Sequence, residues 1–239
     1  MERENLDIAI RDSVEDTLFG LRWWLRETRD DPLEEMGPFF DVRLADYPAH
    51  MYRWQAAYDR FPDYIPSCVK DILDLGCGSG LELDAILAVR PDLSVTGIDL
   101  SDGMLQVLRR NHPGVQIIRG NYLQTDFGTG KWDMVISFES LHHLLPDAKL
   151  LLYRKIRECL RPGGLFLNCD YYACCDEEEK LLRSEYLRKR TLSCLSNDIP
   201  VHFDIPLTLS HEADLLEQAG FAACRALSAH AGACFLLAE

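Results

Sequence analysis

The stretch "DILDLGCGSGL" (71–81) decides the fold. A short apolar run ending in an acid passes directly into three glycines at alternate positions, Gly76, Gly78 and Gly80. An apolar run of this length, bounded by turn residues, reads as a buried strand. Glycines directly after it permit a tight strand-to-helix turn whose main chain carries no Cβ to hold a ligand away. The pattern then repeats. Candidate strands follow at "SVTGIDL" (94–100), "VQIIRG" (115–120), "DMVISF" (133–138) and "GLFLNCD" (164–170), with helical segments at about 80–90, 102–111 and 146–160. The connection between the third and fourth strands is too short and Gly-rich to assign. Strands this continuously apolar are those of a parallel sheet covered on both faces. The alternation predicts a doubly wound α/β sheet that binds ligands beyond the carboxyl ends of its strands.

Near the C-terminus, "SHEADLLEQAGF" (210–221) reads as a helix with Ser210 as N-cap and Gly220 as its stop. Two strands, about 222–228 and 233–238, flank "HAG" and are expected to pair as a hairpin. The expectation is a Rossmann-like sheet of seven strands, mostly parallel, with the last strand antiparallel and inserted.

The first 65 residues differ. Positions 13–29 have helical periodicity, with Val14, Leu18, Leu21 and Leu25 on one face. A turn is expected at "DDPLEEMGP" (30–38). A second helix is expected over 46–60, where Tyr47, Met51, Trp54 and Tyr58 form an aromatic stripe. The predicted division is an N-terminal helical cap (1–65) and a main domain (66–239), with 171–206 inserted as a lid. The cap is expected to fold over the site, and a domain lacking residues 1–60 to fold without it.

Composition narrows the function. The formal charge of −14 disfavours nucleic acid as a general partner. The basic run "RSEYLRKR" (183–190) ends a helix that begins "DEEEK" (176–180), which is how a helix complements its own dipole. There is no apolar run of about 18 residues and no signal-peptide core, so neither membrane insertion nor export is expected. Nine cysteines, an odd number with no C-x-x-C pair, fit reduced thiols in a cytoplasm better than a disulfide framework. Cys169, Cys174 and Cys175 match no zinc spacing, and no metal site is expected.

The glycine turn is by itself weak evidence, because many strand-to-helix turns are Gly-rich. Ser79 and Glu82 fit a capping box opening the next helix. Asp99 adds weight. It closes the second strand, 19 residues after Gly80, where a carboxylate accepts from both hydroxyls of a ribose. Ser101 is free to cap the following helix. Together these features point to a nucleoside-containing cofactor. A dinucleotide fingerprint, G-x-G-x-x-G, would need glycine where Leu81 stands. Asp74 at the mouth of the turn would repel a pyrophosphate. It suits an ammonium-bearing ligand such as S-adenosylmethionine.

The four motifs "LDLGCGSGLEL" (73–83), "VTGIDLSDGML" (95–105), "WDMVISFESLHHL" (132–144) and "LRPGGLFL" (160–167) occur in the order found in class I S-adenosylmethionine-dependent methyltransferases, and the chain resembles that superfamily from about residue 70 to its end. "HFDIPLTLSHEADLLEQAGF" (202–221) resembles the late helix of its small-molecule members. "FFDVRLADYPAHM" (39–51) resembles the N-terminal cap of a poorly characterised bacterial subgroup. The resemblance implies that Asp74, Gly76, Cys77, Gly78 and Gly80 form the methionine side of the cofactor site. Asp99 would hold the ribose and Leu100 and Met104 would lie against the adenine. Asn121, beside Tyr122, would stand where members often carry an Asp for the adenine amine, with Asp126 as a substitute. Ser137, Phe138 and Glu139 would lie beside the sulfonium. Tyr47 would close over the ligand and Arg43 would pair with its carboxylate.

Methyl transfer from a sulfonium needs mostly positioning, and a base only for a protonated acceptor. Glu139, His142, His143, Asp170 and Tyr171 stand where such a base belongs, although a His pair after a strand is equally a packing element. The expectation is a cytoplasmic small-molecule methyltransferase, monomeric or homodimeric. The alternatives are a non-catalytic S-adenosylmethionine-binding protein and, disfavoured by Leu81 and Asp74, a nicotinamide-dependent oxidoreductase.

Overall fold

The computed structural model describes residues 1–196 and 198–239. In chain order the elements are β1 (Glu2–Glu4), α1 (Val14–Glu27), β2 (Glu34–Glu35), α2 (Met36–Arg43), α3 (Tyr47–Met51), α4 (Gln55–Tyr58), β3 (Asp71–Leu75), α5 (Leu81–Val89), β4 (Ser94–Asp99), α6 (Asp102–Asn111), β5 (Gln116–Arg119), β6 (Trp132–Phe138), α7 (Pro146–Cys159), β7 (Leu160–Tyr171), α8 (Asp176–Leu192), β8 (Val201–His202), α9 (Leu209–Gln218), β9 (Ala223–His230) and β10 (Ala233–Ala238).

The main sheet has eight strands in the order β1-β9-β10-β7-β6-β3-β4-β5. The strands from β7 to β5 run parallel, and β10 lies antiparallel between β7 and β9. The inserted antiparallel strand is therefore as expected, and the sheet has one strand more. The extra strand is β1, which pairs parallel with β9 at the edge. Its sequence is Glu-Arg-Glu, so no apolar pattern announces it; an edge strand needs only main-chain hydrogen bonds, and charged side chains there discourage further pairing. Helices cover both faces. One face packs α4, α5 and α6 against Ile72, Val95, Met134 and Ile136. The other packs α7 and α9 against Leu73, Leu75, Val135 and Leu236. On that second face, Lys149 of α7 and Glu212 of α9 form a fully buried pair (2.7 Å), and the Tyr153 hydroxyl donates to the same carboxylate.

The first 65 residues do not form a separate layer. The expected helix at 46–60 is three short turns, with a 3₁₀ turn at Tyr52–Trp54 between α3 and α4. Its stripe lies inside the main core: Met51, Trp54, Ala57, Tyr58 and Phe61 are all buried with residues of β3, β6 and α5. A domain lacking residues 1–60 would therefore lose part of its own core, contrary to the expectation. The turn expected at 30–38 is cut short by α2, which starts at Met36. Residues 36–47 do lie over the carboxyl ends of the strands. They are joined to the 171–206 segment by the β2–β8 pair (Glu34 opposite His202) and by a small third core in which Leu21 and Leu25 of α1 meet Leu182, Val201 and Phe203.

Two helix starts differ from expectation. Thr208, not Ser210, caps α9, accepting from the His211 N–H. Ser79 and Glu82 form no capping box; Gly80 stands at the N-cap of α5 in the left-handed region, and Glu82 points into the core with 5% exposure. Gly220 follows α9 at φ +95°, as a helix stop requires. Among the described residues no helix is long and apolar enough to cross a membrane.

Candidate active site

The strand order reverses at the neighbouring pair β3 and β6, and ligands of doubly wound sheets bind at such a point. A cavity of about 210 Å³ opens there. Its floor is the turn after β3 (Gly76, Gly78), and the ends of β4 (Asp99, Leu100) and β6 (Phe138, Glu139) form two sides. Met104, Asn121, Tyr122, Tyr47 and His143 also line it. These predicted residues are thus brought together.

Asp99 is set by its surroundings. Its Oδ2 accepts from the Gly78 N–H (2.9 Å) and its Oδ1 from the Ser101 N–H (2.8 Å). Burial raises its pKa, and these backbone donors oppose the shift. Each oxygen keeps a lone pair for a further donor. Ser101 caps α6, its Oγ accepting from the Met104 N–H (3.0 Å) and donating to Asp41 Oδ1 (2.6 Å). The Gly103 N–H also donates to Asp41 (3.1 Å). Asp41 of α2 thereby ties the overlying segment to the helix that follows Asp99, a contact no local pattern signals.

The glycines divide by task. A Cβ on Gly76 would lie 2.1 Å from Ser140 Oγ, so that bareness makes room for Ser140 rather than for a ligand. A Cβ on Gly80 would lie 2.5 Å from Leu108 Cδ1, so Gly80 serves the packing of α5 on α6 and does not face the cavity. Cys77 likewise turns inward; a Cβ on Gly97 of β4 would lie 2.6 Å from its sulfur. Ser137 is fully buried and donates to the Leu75 carbonyl (2.8 Å), tying β6 to β3.

Asp74 is also fully buried, next to the turn but outside the cavity lining, and neither of its oxygens has a hydrogen-bond donor among the described residues. Burial pushes its pKa up to about 7 and drives its neighbour Glu82 well above the usual range. Asn121 uses its amide oxygen to accept from the Leu123 N–H (2.9 Å), which leaves its NH2 as the freer group. Asp126 is exposed, accepts from the Gly128 N–H and stands away from the cavity, so it is no substitute. Arg43 does not reach the glycine turn. It pairs with Glu34 (2.8 Å) and stacks 3.7 Å over Phe39.

A second cavity of about 640 Å³ adjoins the first, and Phe40, Tyr47, Glu139 and His143 line both. Its walls include Phe39, Trp54, Tyr171, His142, His202 and Asp204. Glu139 stands at the junction with φ +44°, a left-handed conformation that side-chain-bearing residues seldom adopt. Its Oε1 is buried without a partner, and burial pushes its pKa up to about 8. His142 faces the second cavity only, with Asp170 buried behind it at 2.5 Å from Nδ1. Burial lowers the His142 pKa, but Asp170 and Asp204 more than reverse this and leave it well raised. His202 and Asp204 arrive from "HFDIPL" (202–207), some sixty residues on. The Ile205 N–H donates to the His142 carbonyl (2.8 Å), and His143 Nδ1 meets the Phe203 carbonyl (3.1 Å). Nothing local in the sequence reveals that approach.

Comparison with known proteins agrees with this geometry. Residues 72–164 match the family model described as a methyltransferase domain. A probable S-adenosylmethionine-dependent methyltransferase of Mycolicibacterium smegmatis is 33% identical over 101 residues, 41% of this chain and 37% of that protein. The chain thus matches well under half of that relative's length. An uncharacterized methyltransferase of Oceanobacillus iheyensis is 24% identical over 71% of this chain and 78% of its own. Human N-acetylserotonin methyltransferase, solved in complex with S-adenosylmethionine, superposes with a TM-score of 0.62 over 96% of this chain and 63% of its own, at 17% identity. That likeness is one of fold.

Proposed function

We propose that the chain is a class I S-adenosylmethionine-dependent methyltransferase that binds S-adenosylmethionine in the smaller cavity and methylates a small molecule seated in the larger one, a reading supported by the methyltransferase-domain match over residues 72–164. The residues present fit that cofactor. Asp74, behind the glycine turn and outside the cavity lining, has two oxygens without a donor among the described residues, and its negative charge favours an ammonium group at the turn. Asp99 keeps lone pairs for ribose hydroxyls. Leu100 and Met104 offer an apolar wall for a purine, and Tyr47 and Phe40 cover the site from above. When bound, the cofactor supplies a methyl group on a positively charged sulfur that is already a good leaving group.

The chain itself contributes position, exclusion of water and a proton acceptor. One observation carries the reading: the two cavities meet at Glu139, a strained, partly buried acid with an unpartnered oxygen. A pKa of about 8 suits a general base that takes a proton from an acceptor hydroxyl or amine near neutral pH. Asp170 positions His142 rather than touching the acceptor, since it lies behind the ring. The aromatic walls of the larger cavity favour a flat or apolar acceptor. The nine cysteines, each a free thiol, support a reducing cytoplasm as the location.

The test is a screen of metabolites for transfer of labelled methyl, run beside a Glu139→Gln variant. Transfer by the native chain and its collapse in the variant, with S-adenosylhomocysteine binding retained in both, are expected. Cofactor binding without transfer to any compound would point to a binding protein instead.

A further inference from the structure

The wall of the larger cavity away from the glycine turn carries a cluster that methyl transfer as proposed leaves without a task. Asp204 Oδ1 lies 3.4 Å from His142 Nε2 and 3.4 Å from His143 Nδ1. One potential ligand atom from each of the three residues falls within 4.8 Å of the others. We propose that His142, His143 and Asp204 form a divalent transition-metal site open to the larger cavity. Given the reading of that cavity as the acceptor site, the metal would hold an oxygen- or nitrogen-bearing acceptor in line.

Three features support a metal over a purely structural cluster. First, two imidazoles and one carboxylate on one side of a cavity make a donor set that fills half of a coordination sphere and leaves the rest for water or substrate. Second, the ring that would bind through Nε2 is already oriented from behind. His142 Nδ1 is 2.5 Å from Asp170, and Asp170 is held by the Tyr171 N–H (3.0 Å) and the Asn168 amide (3.3 Å). A carboxylate behind a ligating imidazole fixes its tautomer and raises its basicity. Third, acids crowd the His142 ring and no free basic side chain of the described residues stands among them. Glu139, Asp170 and Asp204 surround His142, and the arginines lining the cavity are engaged elsewhere. Arg11 donates to the Gly232 carbonyl, Arg43 pairs with Glu34, and Arg53 stacks on Trp54.

The experiment uses the full chain, stripped with chelator and dialysed. Mn²⁺ is titrated by electron paramagnetic resonance, because manganese disfavours the nine thiols. Co²⁺ is titrated in parallel by absorbance, where thiolate ligation gives an intense near-ultraviolet band. The expectation is one Mn²⁺ per chain and a Co²⁺ spectrum without that band. Asp204→Asn and His142→Ala should abolish binding, and Asp170→Asn should weaken it about 10–100-fold, with circular dichroism unchanged. Absence of Mn²⁺ binding, a thiolate spectrum, or binding untouched by Asp204→Asn would each overturn the proposal. S-adenosylhomocysteine is titrated into the metal-free protein separately. Failure there with Mn²⁺ still bound would sink the cofactor reading and leave the metal site standing; the reverse result would do the opposite.

Discussion

Removing the Asp99 carboxylate separates a ligand site from a mere structural clamp. Its two oxygens each accept one backbone N–H, from Gly78 at 2.9 Å and Ser101 at 2.8 Å. Asp99→Ala leaves both N–H groups without that partner, which costs about 1–3 kcal/mol per group where water cannot replace it. The melting temperature should therefore fall even in the absence of ligand. If the remaining lone pairs hold a ribose, the variant loses the charge-assisted bonds to its hydroxyls as well. That loss is about 1–3 kcal/mol of binding energy, or roughly 5- to 150-fold in Kd. Titration calorimetry with S-adenosylhomocysteine, at a temperature where both proteins are folded, reads the second effect apart from the first. A variant that melts lower yet binds with unchanged Kd would refute the reasoning, because Asp99 would then serve only the turn and the start of α6.

Asp74 makes cofactor affinity pH-dependent. Burial raises its pKa to about 7, so at lower pH the free protein carries a proton that must leave before an ammonium can pair with it. Kd should fall as pH rises from 6 to 8, and Asp74→Asn should flatten that slope. The same raised pKa means that the folded state binds more protons than the unfolded chain between about pH 4 and 7, so its contribution to stability shrinks as pH rises through that window. Glu139→Gln should lower turnover by about 10²–10⁴ with cofactor binding retained, and the native rate should climb with pH through about 8 as the base loses its proton. Lys149→Ala should destabilise the fold by about 3–5 kcal/mol in urea unfolding, because it strands the buried Glu212 carboxylate; a change under about 1 kcal/mol would mean that water reaches the pair.

The strands β3 to β7 are legible because buried parallel strands show as apolar runs and their turns as glycine, and the closing hairpin is legible from its turn, whereas the two-residue β8 leaves no such signal. The position of Asp99 follows from the end of its strand, and that of Met104 from the family resemblance. Elsewhere local pattern and tertiary structure part company. Glu82 has the sequence of a cap residue, yet its side chain turns into the core beside Asp74 and Gly80 takes the cap position. The Tyr47–Tyr58 stripe has helical spacing, but a 3₁₀ turn breaks it so that Trp54 and Tyr58 can enter the core. Arg43 faces the overlying loop because Glu34 is closer to hand than any ligand. His202, Asp204 and Asp41 reach the site only through the pairing of β2 with β8 and the docking of residues 203–205 on His142, contacts between segments far apart in sequence.

The central claim is that the cavity at β3 and β6 is built for S-adenosylmethionine. Calorimetric titration of the native chain with S-adenosylhomocysteine, with NAD in parallel, tests it most directly. The account predicts one site per chain with Kd on the order of micromolar, about −8 kcal/mol, and no heat with NAD. No heat from the sulfur ligand, or tighter binding of NAD, would contradict it.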